Sequence, residues 1–199
     1  MPKGIPLTEE DLAIRRHEIL HQVTSIFLKQ GFHETSMQEI AEAAGLGKST
    51  LYDYFRTKDD ILLYFFEDQI NDLTEAAQRI ALQNIPADER LRQIMGVHLE
   101  SLQANRSLFM KLSQDAQRLK PDSQKQLQEK RHAYQDLIRG LIEEGVREGT
   151  FRRVDPLLAA RMLINAMLPV MFTSRPTGTA QEMLEETMEI FMKGIEPCY

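Results

Sequence analysis

Two stretches of the chain carry residue types and spacings associated with chemistry. Residues 45–55 read GLGKSTLYDYF, and residues 17–21 read HEILH. Gly47-Lys48-Ser49 has the ending of a phosphate-binding loop, in which backbone amides and a lysine cradle a nucleotide. The same letters also suit a tight turn followed by a short helix that offers Lys48, Ser49, Thr50 and two tyrosines to DNA. In either case Lys48 meets a phosphate. His17-Glu18-Ile19-Leu20-His21 matches the helix of zinc metalloproteases, with two imidazoles one turn apart and a glutamate as general base.

Neither catalytic reading passes its own requirements. A Walker-type loop needs a glycine five places before Gly47 and a buried strand ahead of it. Glu42 stands there, and the preceding MQEIAEAA favours a helix. In HEILH, about 100° per residue puts His21 near 40° from His17, whereas Ile19, Val23, Ile26 and Phe27 fall between about 180° and 280°. The histidines therefore face away from the apolar stripe, and Thr24 occupies the glycine position of the longer metzincin motif. No catalytic residue, metal site or cofactor is expected.

The elements that must position GLGKSTLYDYF are helical. Apolar residues recur every three or four positions, and no segment shows the alternation of a strand. A first helix is expected over residues 9–30, capped by Thr8 and stopped by Gly31. A second, short one starts at Ser36, where S-M-Q-E forms a capping box with Glu39, and ends at Gly45. A third spans about 48–54, and a long fourth runs from Thr57 to about Asn84. Pro86, Pro121, Pro156 and Pro176 punctuate the remainder into helices near 87–103, 106–118, 122–148, 156–173 and 179–194. Ile40, Ala41 and Leu51 are placed to pack between the second and third helices. Tyr52 and Tyr54 either face DNA or pack beside Phe55.

The chain has 199 residues, 42% hydrophobic and 27% charged, as for an ordinary folded protein. Its net charge is −6, and residues 1–66 carry seven Lys/Arg against ten Asp/Glu. Bulk charge therefore does not favour nucleic acid. Residues 44–58, however, carry Lys48, Arg56 and Lys58 against Asp53 alone, a small basic patch able to dock. No apolar run is long enough for a membrane span, no secretory leader is expected at the N-terminus, and Cys198 has no second cysteine to pair with. A cytoplasmic setting is expected.

From about Arg15 to Phe66 the sequence resembles the DNA-binding domain of TetR-family transcriptional regulators. The resemblance is carried by Phe27, Gly31-Phe32, Thr35-Ser-Met-Gln-Glu-Ile-Ala-Glu-Ala-Ala-Gly45, Lys48, Thr50-Leu-Tyr52, Tyr54-Phe55, Lys58 and Leu62. The family usually has Ser at the place of Gly47 and often Gly at that of Ser49, so the chain departs at both. Glycine still serves as an N-cap with little loss.

The periodicity and breaks give about nine helices, and the resemblance implies an all-α protein. It would comprise an N-terminal three-helix helix-turn-helix domain (1–56) and a larger C-terminal helical ligand-binding and dimerisation domain (57–199). Double-stranded operator DNA would be contacted by Thr35, Ser36, Lys48, Ser49, Thr50, Tyr52, Tyr54 and Lys58. The middle three would lie nearest the bases and the others mostly on phosphates. The last two helices would pair with those of a second copy. A small-molecule effector, its identity open and its character apolar, would be met by His98, Leu102, Phe109, Met110, Met162, Asn165, Met171 and Phe172, with His98 and Asn165 as the polar contacts. The same methionines and aromatics also suit a plain core. The implied function is a ligand-responsive repressor on a palindromic operator, with no membrane association. The competing function is a helical adaptor whose first domain no longer reads DNA.

Overall fold

The computed structural model describes residues 8–196, and Cys198 lies outside them. All regular structure among the described residues is helical: α1 Glu9–Gln30, α2 Met37–Ala43, α3 Lys48–Tyr54, α4 Lys58–Ala81, α5 Ala87–Ala104, α6 Arg106–Ala116, α7 Pro121–Glu148, α8 Pro156–Asn165, α9 Met167–Phe172 and α10 Ala180–Ile195.

Short-range caps explain why half of the helices begin where they do. Thr8 with Asp11, Ser36 with Glu39 and Thr179 with Glu182 form reciprocal capping boxes at α1, α2 and α10. Thr57 and Asp60 exchange the same pair of bonds at α4, at 2.8 and 3.2 Å. The strongest box is that of Ser36, whose backbone N–H and hydroxyl both donate to Glu39 and hold its carboxyl down at about 2. Asp155 accepts from the amides of Leu157 and Leu158 at the start of α8.

The single helix expected over 156–173 is instead two, parted at Ala166. Pro169 has no N–H, and its ring excludes the carbonyl of the residue four places earlier, Asn165. Counting α8 and α9 together recovers the nine helices expected.

The chain forms two compact units. The first comprises the residues up to Phe66 together with Ser107–Gln124, and the second comprises Glu67–Arg106 with Lys125 onward. In the first, Ile19, Val23 and Phe27 of α1, Ile40 and Ala41 of α2, Leu51 of α3 and Ile61, Leu62 and Phe65 of α4 make one core. Leu108, Leu112 and Ala116 of α6 are buried in the same unit, where Phe109 meets the Phe66 ring at 5.8 Å. Asp115 of α6 pairs with His33 in the α1–α2 loop at 2.7 Å, and Lys111 donates to the Leu28 carbonyl.

The second unit has a larger core drawn from α4, α5, α7, α8, α9 and α10. Here Arg90 of α5 is buried, donating to the Ala81 carbonyl at 3.0 Å and pairing with both carboxylate oxygens of Glu144 on α7. After α7, Gly149 takes a left-handed φ of 79° and the chain turns back. The Phe151 N–H donates to the Gly145 carbonyl at 3.0 Å, and the Arg152 N–H to that of Ile195 at 2.8 Å. The buried Phe151 ring lies against Gly145, in the space that a Cβ would take. Gly145→Ala is therefore expected to lower stability by about 1–3 kcal/mol through overpacking, read as a shift of the urea midpoint without a change of slope.

Candidate functional site

The turn Ala44–Gly47 sets the geometry of the first unit's exposed face. Gly45 sits at φ 63°, a region open to glycine at little cost. The Leu46 amide returns to the Ala41 carbonyl at 2.8 Å, which redirects the chain into α3. Ile40, Ala41 and Leu51 are fully buried and hold α2 and α3 together, as their spacing predicts. At the far end of α3, Arg16 donates to the Tyr54 carbonyl at 3.3 Å and lies over the Phe55 ring.

With Leu51 and Phe55 inward, the other side of α3 faces solvent. Lys48, Ser49 and Thr50 are exposed, and Tyr52 keeps 43% of its surface. Core packing is thus the role of Phe55 and not of Tyr52. Tyr54 is half-buried, beside the Arg15 guanidinium. Gly47 caps α3 without a side-chain hydrogen bond.

The remaining expected contacts have structural duties. Thr35 is 1% exposed, and its hydroxyl donates to the Gly31 carbonyl at 2.6 Å, so its side chain is withheld from a phosphate. The Ser36 hydroxyl gives its proton to Glu39 at 2.7 Å. Lys58 donates to the carbonyls of Phe32 and His33, both at 2.9 Å, and lies over the Phe32 ring. It clasps the α1–α2 loop to α4. Arg56, exposed directly after α3, was absent from the expected contacts although it belongs to the basic patch of residues 44–58.

Of HEILH, His17, Glu18 and His21 lie on the exposed side of α1, while Ile19 and Leu20 are buried with Val23 and Phe27 and Ile26 is only partly so. Among the described residues no three His, Cys, Asp or Glu side chains group to hold a metal ion, and no helix is long and apolar enough to cross a membrane.

The eight expected effector contacts are divided between the two units. Phe109 and Met110 belong to the first unit, Met110 being exposed. Met162 and Asn165 point outward from α8. Met162 is 59% exposed, and the Asn165 amide donates to the Arg161 carbonyl of its own helix at 2.8 Å. They lie three residues apart, on the side of α8 opposite the buried Ala159, Ala160 and Leu163. His98, Leu102, Met171 and Phe172 belong to the second unit, with Met171 in its core, Leu102 and Phe172 packed against it and His98 partly buried. There His98 is joined by Tyr134 of α7, a residue outside the expected set. Its place on the buried stripe Leu127, Tyr134, Ile138, Leu141 was a sequence signal that it points inward. The two rings meet edge to face at 5.5 Å, with Tyr134 Oη 3.2 Å from His98 Nδ1. Burial lowers His98 to about 4 and raises Tyr134, so both are neutral.

Between α8 and α10 runs an open groove of about 540 Å³, lined by Leu158, Met162, Ile190, Phe191 and Thr187. Met167, Met171 and Met192 of these helices are core residues, whereas Leu158, Met162, Leu168 and Ile190 are exposed.

Two family models match the chain. The family model described as bacterial regulatory proteins, tetR family, matches residues 19–65, and that described as tetracyclin repressor-like, C-terminal domain, matches residues 84–195. The transcriptional repressor KstR2 of Rhodococcus jostii is 24% identical over 185 residues, which is 91% of each chain. The crystal structure of the regulator PfmR from Thermus thermophilus superposes with a TM-score of 0.74 at 26% identity, covering 90% of this chain and 99% of the other. That of FadR from Bacillus subtilis in complex with stearoyl-CoA does so at 0.77 and 20%, covering 90% and 99%, a likeness of fold. Since the C-terminal model alone spans more than half of the chain, the protein belongs to the TetR family of bacterial transcriptional regulators.

Proposed function

We propose that the protein is a one-component repressor without a reaction of its own, working in the cytoplasm. A homodimer would hold a palindromic operator and let go when a small effector binds the second unit. The observation that carries this reading is α3: one side is locked to α2 through Leu51 while the other exposes Lys48, Ser49, Thr50 and Tyr52. A short helix of that kind fits a major groove about 12 Å wide. Lys48, Ser49 and Thr50 would lie nearest the bases. Tyr52, Tyr54 and Arg56 would hold phosphates, with Thr35, Ser36 and Lys58 shaping the loop beside them.

The groove between α8 and α10 supports the dimer. Ile190 is 65% exposed and Met162 59%, an apolar surface continuous along two helices that a second copy would cover isologously. Two copies of α3 would then fall one helical turn apart, about 34–36 Å. The α4 helix passes without a break from the second unit into the first, so a small change of its angle would alter half-site spacing. A coupling of about 1–3 kcal/mol suffices. The bound stearoyl-CoA of the FadR structure suggests an acyl-CoA as the effector class.

The test is selection of fragments of the source genome by the purified protein, with Tyr52→Ala alongside. Enrichment of a short palindrome is expected. The variant should bind it at least about tenfold more weakly, since each subunit loses a hydrogen bond to a charged acceptor worth about 1.5–3 kcal/mol. Affinity should fall steeply with salt. No enrichment even at low salt would refute the reading.

A further inference from the structure

The His98–Tyr134 pair in the second unit is a polar element in an apolar setting, and its own geometry indicates the ligand group it suits. Tyr134 is buried, and its hydroxyl has one partner among the described residues, His98 Nδ1. If Nδ1 carried the proton, the tyrosine O–H would be left buried and unsatisfied, at a substantial cost. The hydroxyl therefore donates to Nδ1, which puts the imidazole proton on Nε2. Nε2 has no hydrogen-bond partner among the described residues, and His98 as a residue is only partly buried. Burial alone sets the lowered value of His98, with no neighbouring charge contributing. In the same unit Leu102, one turn further along α5, and Phe172 are partly buried hydrophobics packed against the core, and Met171 is buried in it. A carboxylate placed here would lose its hydration without gaining a cation, whereas an uncharged oxygen acceptor would meet a donor already oriented.

We propose that His98, oriented by Tyr134, is the polar anchor of the effector site, donating its Nε2–H to an uncharged carbonyl oxygen on an otherwise apolar ligand. Within the acyl-CoA class on which this inference rests, that atom is the thioester oxygen and not the carboxylate of a free fatty acid. His98 sets specificity, and Tyr134 acts through it as a positioning residue.

The experiment compares stearoyl-CoA with stearate as releasing agents for the operator complex, followed by fluorescence anisotropy. The double variant His98→Leu/Tyr134→Phe removes both polar partners at once, which leaves no orphaned group and keeps the fold testable. Its melting curve should match that of the wild type while the stearoyl-CoA needed for release rises about tenfold, the worth of one buried hydrogen bond. His98→Gln, which keeps an N–H, should recover part of that loss, and Tyr134→Phe alone should cost a smaller factor. Stearate should release poorly from the wild type. Equal response of the double variant and wild type to stearoyl-CoA overturns the anchor while the acyl class stands. Release by stearate that depends equally on His98 overturns the uncharged-carbonyl assignment. No release from the wild type by either probe overturns the acyl class, and the anchor with it.

Discussion

Leu51→Ala is expected to destabilise the first unit by about 2–5 kcal/mol and to abolish operator binding with it. The side chain is fully buried beside Ile40 and Ala41, and α3 has only seven residues. A helix that short does not form on its own in water, since nucleation costs more than so few bonds return. It exists because Leu51 and Phe55 dock it. Urea titration at the temperature of the binding assay should show a lower midpoint for Leu51→Ala and none of that loss for the exposed Tyr52→Ala, although both bind DNA poorly. A Leu51→Ala protein with wild-type stability would contradict the packing described for α2 and α3.

The second large effect is expected in the other unit, from Glu144→Ala. Arg90 is buried with two partners, the Ala81 carbonyl and the Glu144 carboxylate, and its Nε has no partner among the described residues. Removing Glu144 strands a guanidinium among α4, α5 and α7. The loss should be about 3 kcal/mol, at the low end for a broken buried pair because Glu144 keeps 27% of its side-chain surface. Arg90→Met/Glu144→Leu should lose much less, since no charge is then left unpaired. The pH dependence has a definite sign. The hydrogen bond from Arg90 holds the Glu144 carboxyl below its ordinary value of 4.5 in the folded state. Its contribution is therefore complete above about pH 4.5 and disappears as the pH falls through the lower folded value. The difference in stability between wild type and Glu144→Ala should narrow over that acid range, and a constant difference would count against the pair.

The helices themselves were legible in the sequence to within a few residues. Their starts are set by Thr8, Ser36, Asp155 and Thr179, whose side chains reach amides only two or three places ahead, and such contacts are present in the sequence as spacing. The helix-turn-helix was legible for the same reason, since Gly45 and the Ile40–Ala41–Leu51 set lie within a dozen residues. So was the outward direction of His17 and His21, which follows from helical angle alone.

Only the tertiary structure decided which groups are already engaged. Lys58 meets carbonyls 25 and 26 residues away, Asp115 meets His33 across 82 positions, and Tyr134 meets His98 across 36. No local rule records such pairings, because they depend on how whole helices dock. The sorting of apolar residues into core and outer surface has the same origin. The periodicity of residues 156–195 shows a wide apolar face, but whether Met171 or Met162 is covered depends on which helices lie against each side of it. Pro169 lies between the two cases: its effect on the carbonyl of Asn165 is local and could be read from sequence, while the apolar pattern running through it concealed the break. The sequence by itself determined a helical regulator with a recognition helix. The fold decided which of its polar side chains remain free to recognise anything.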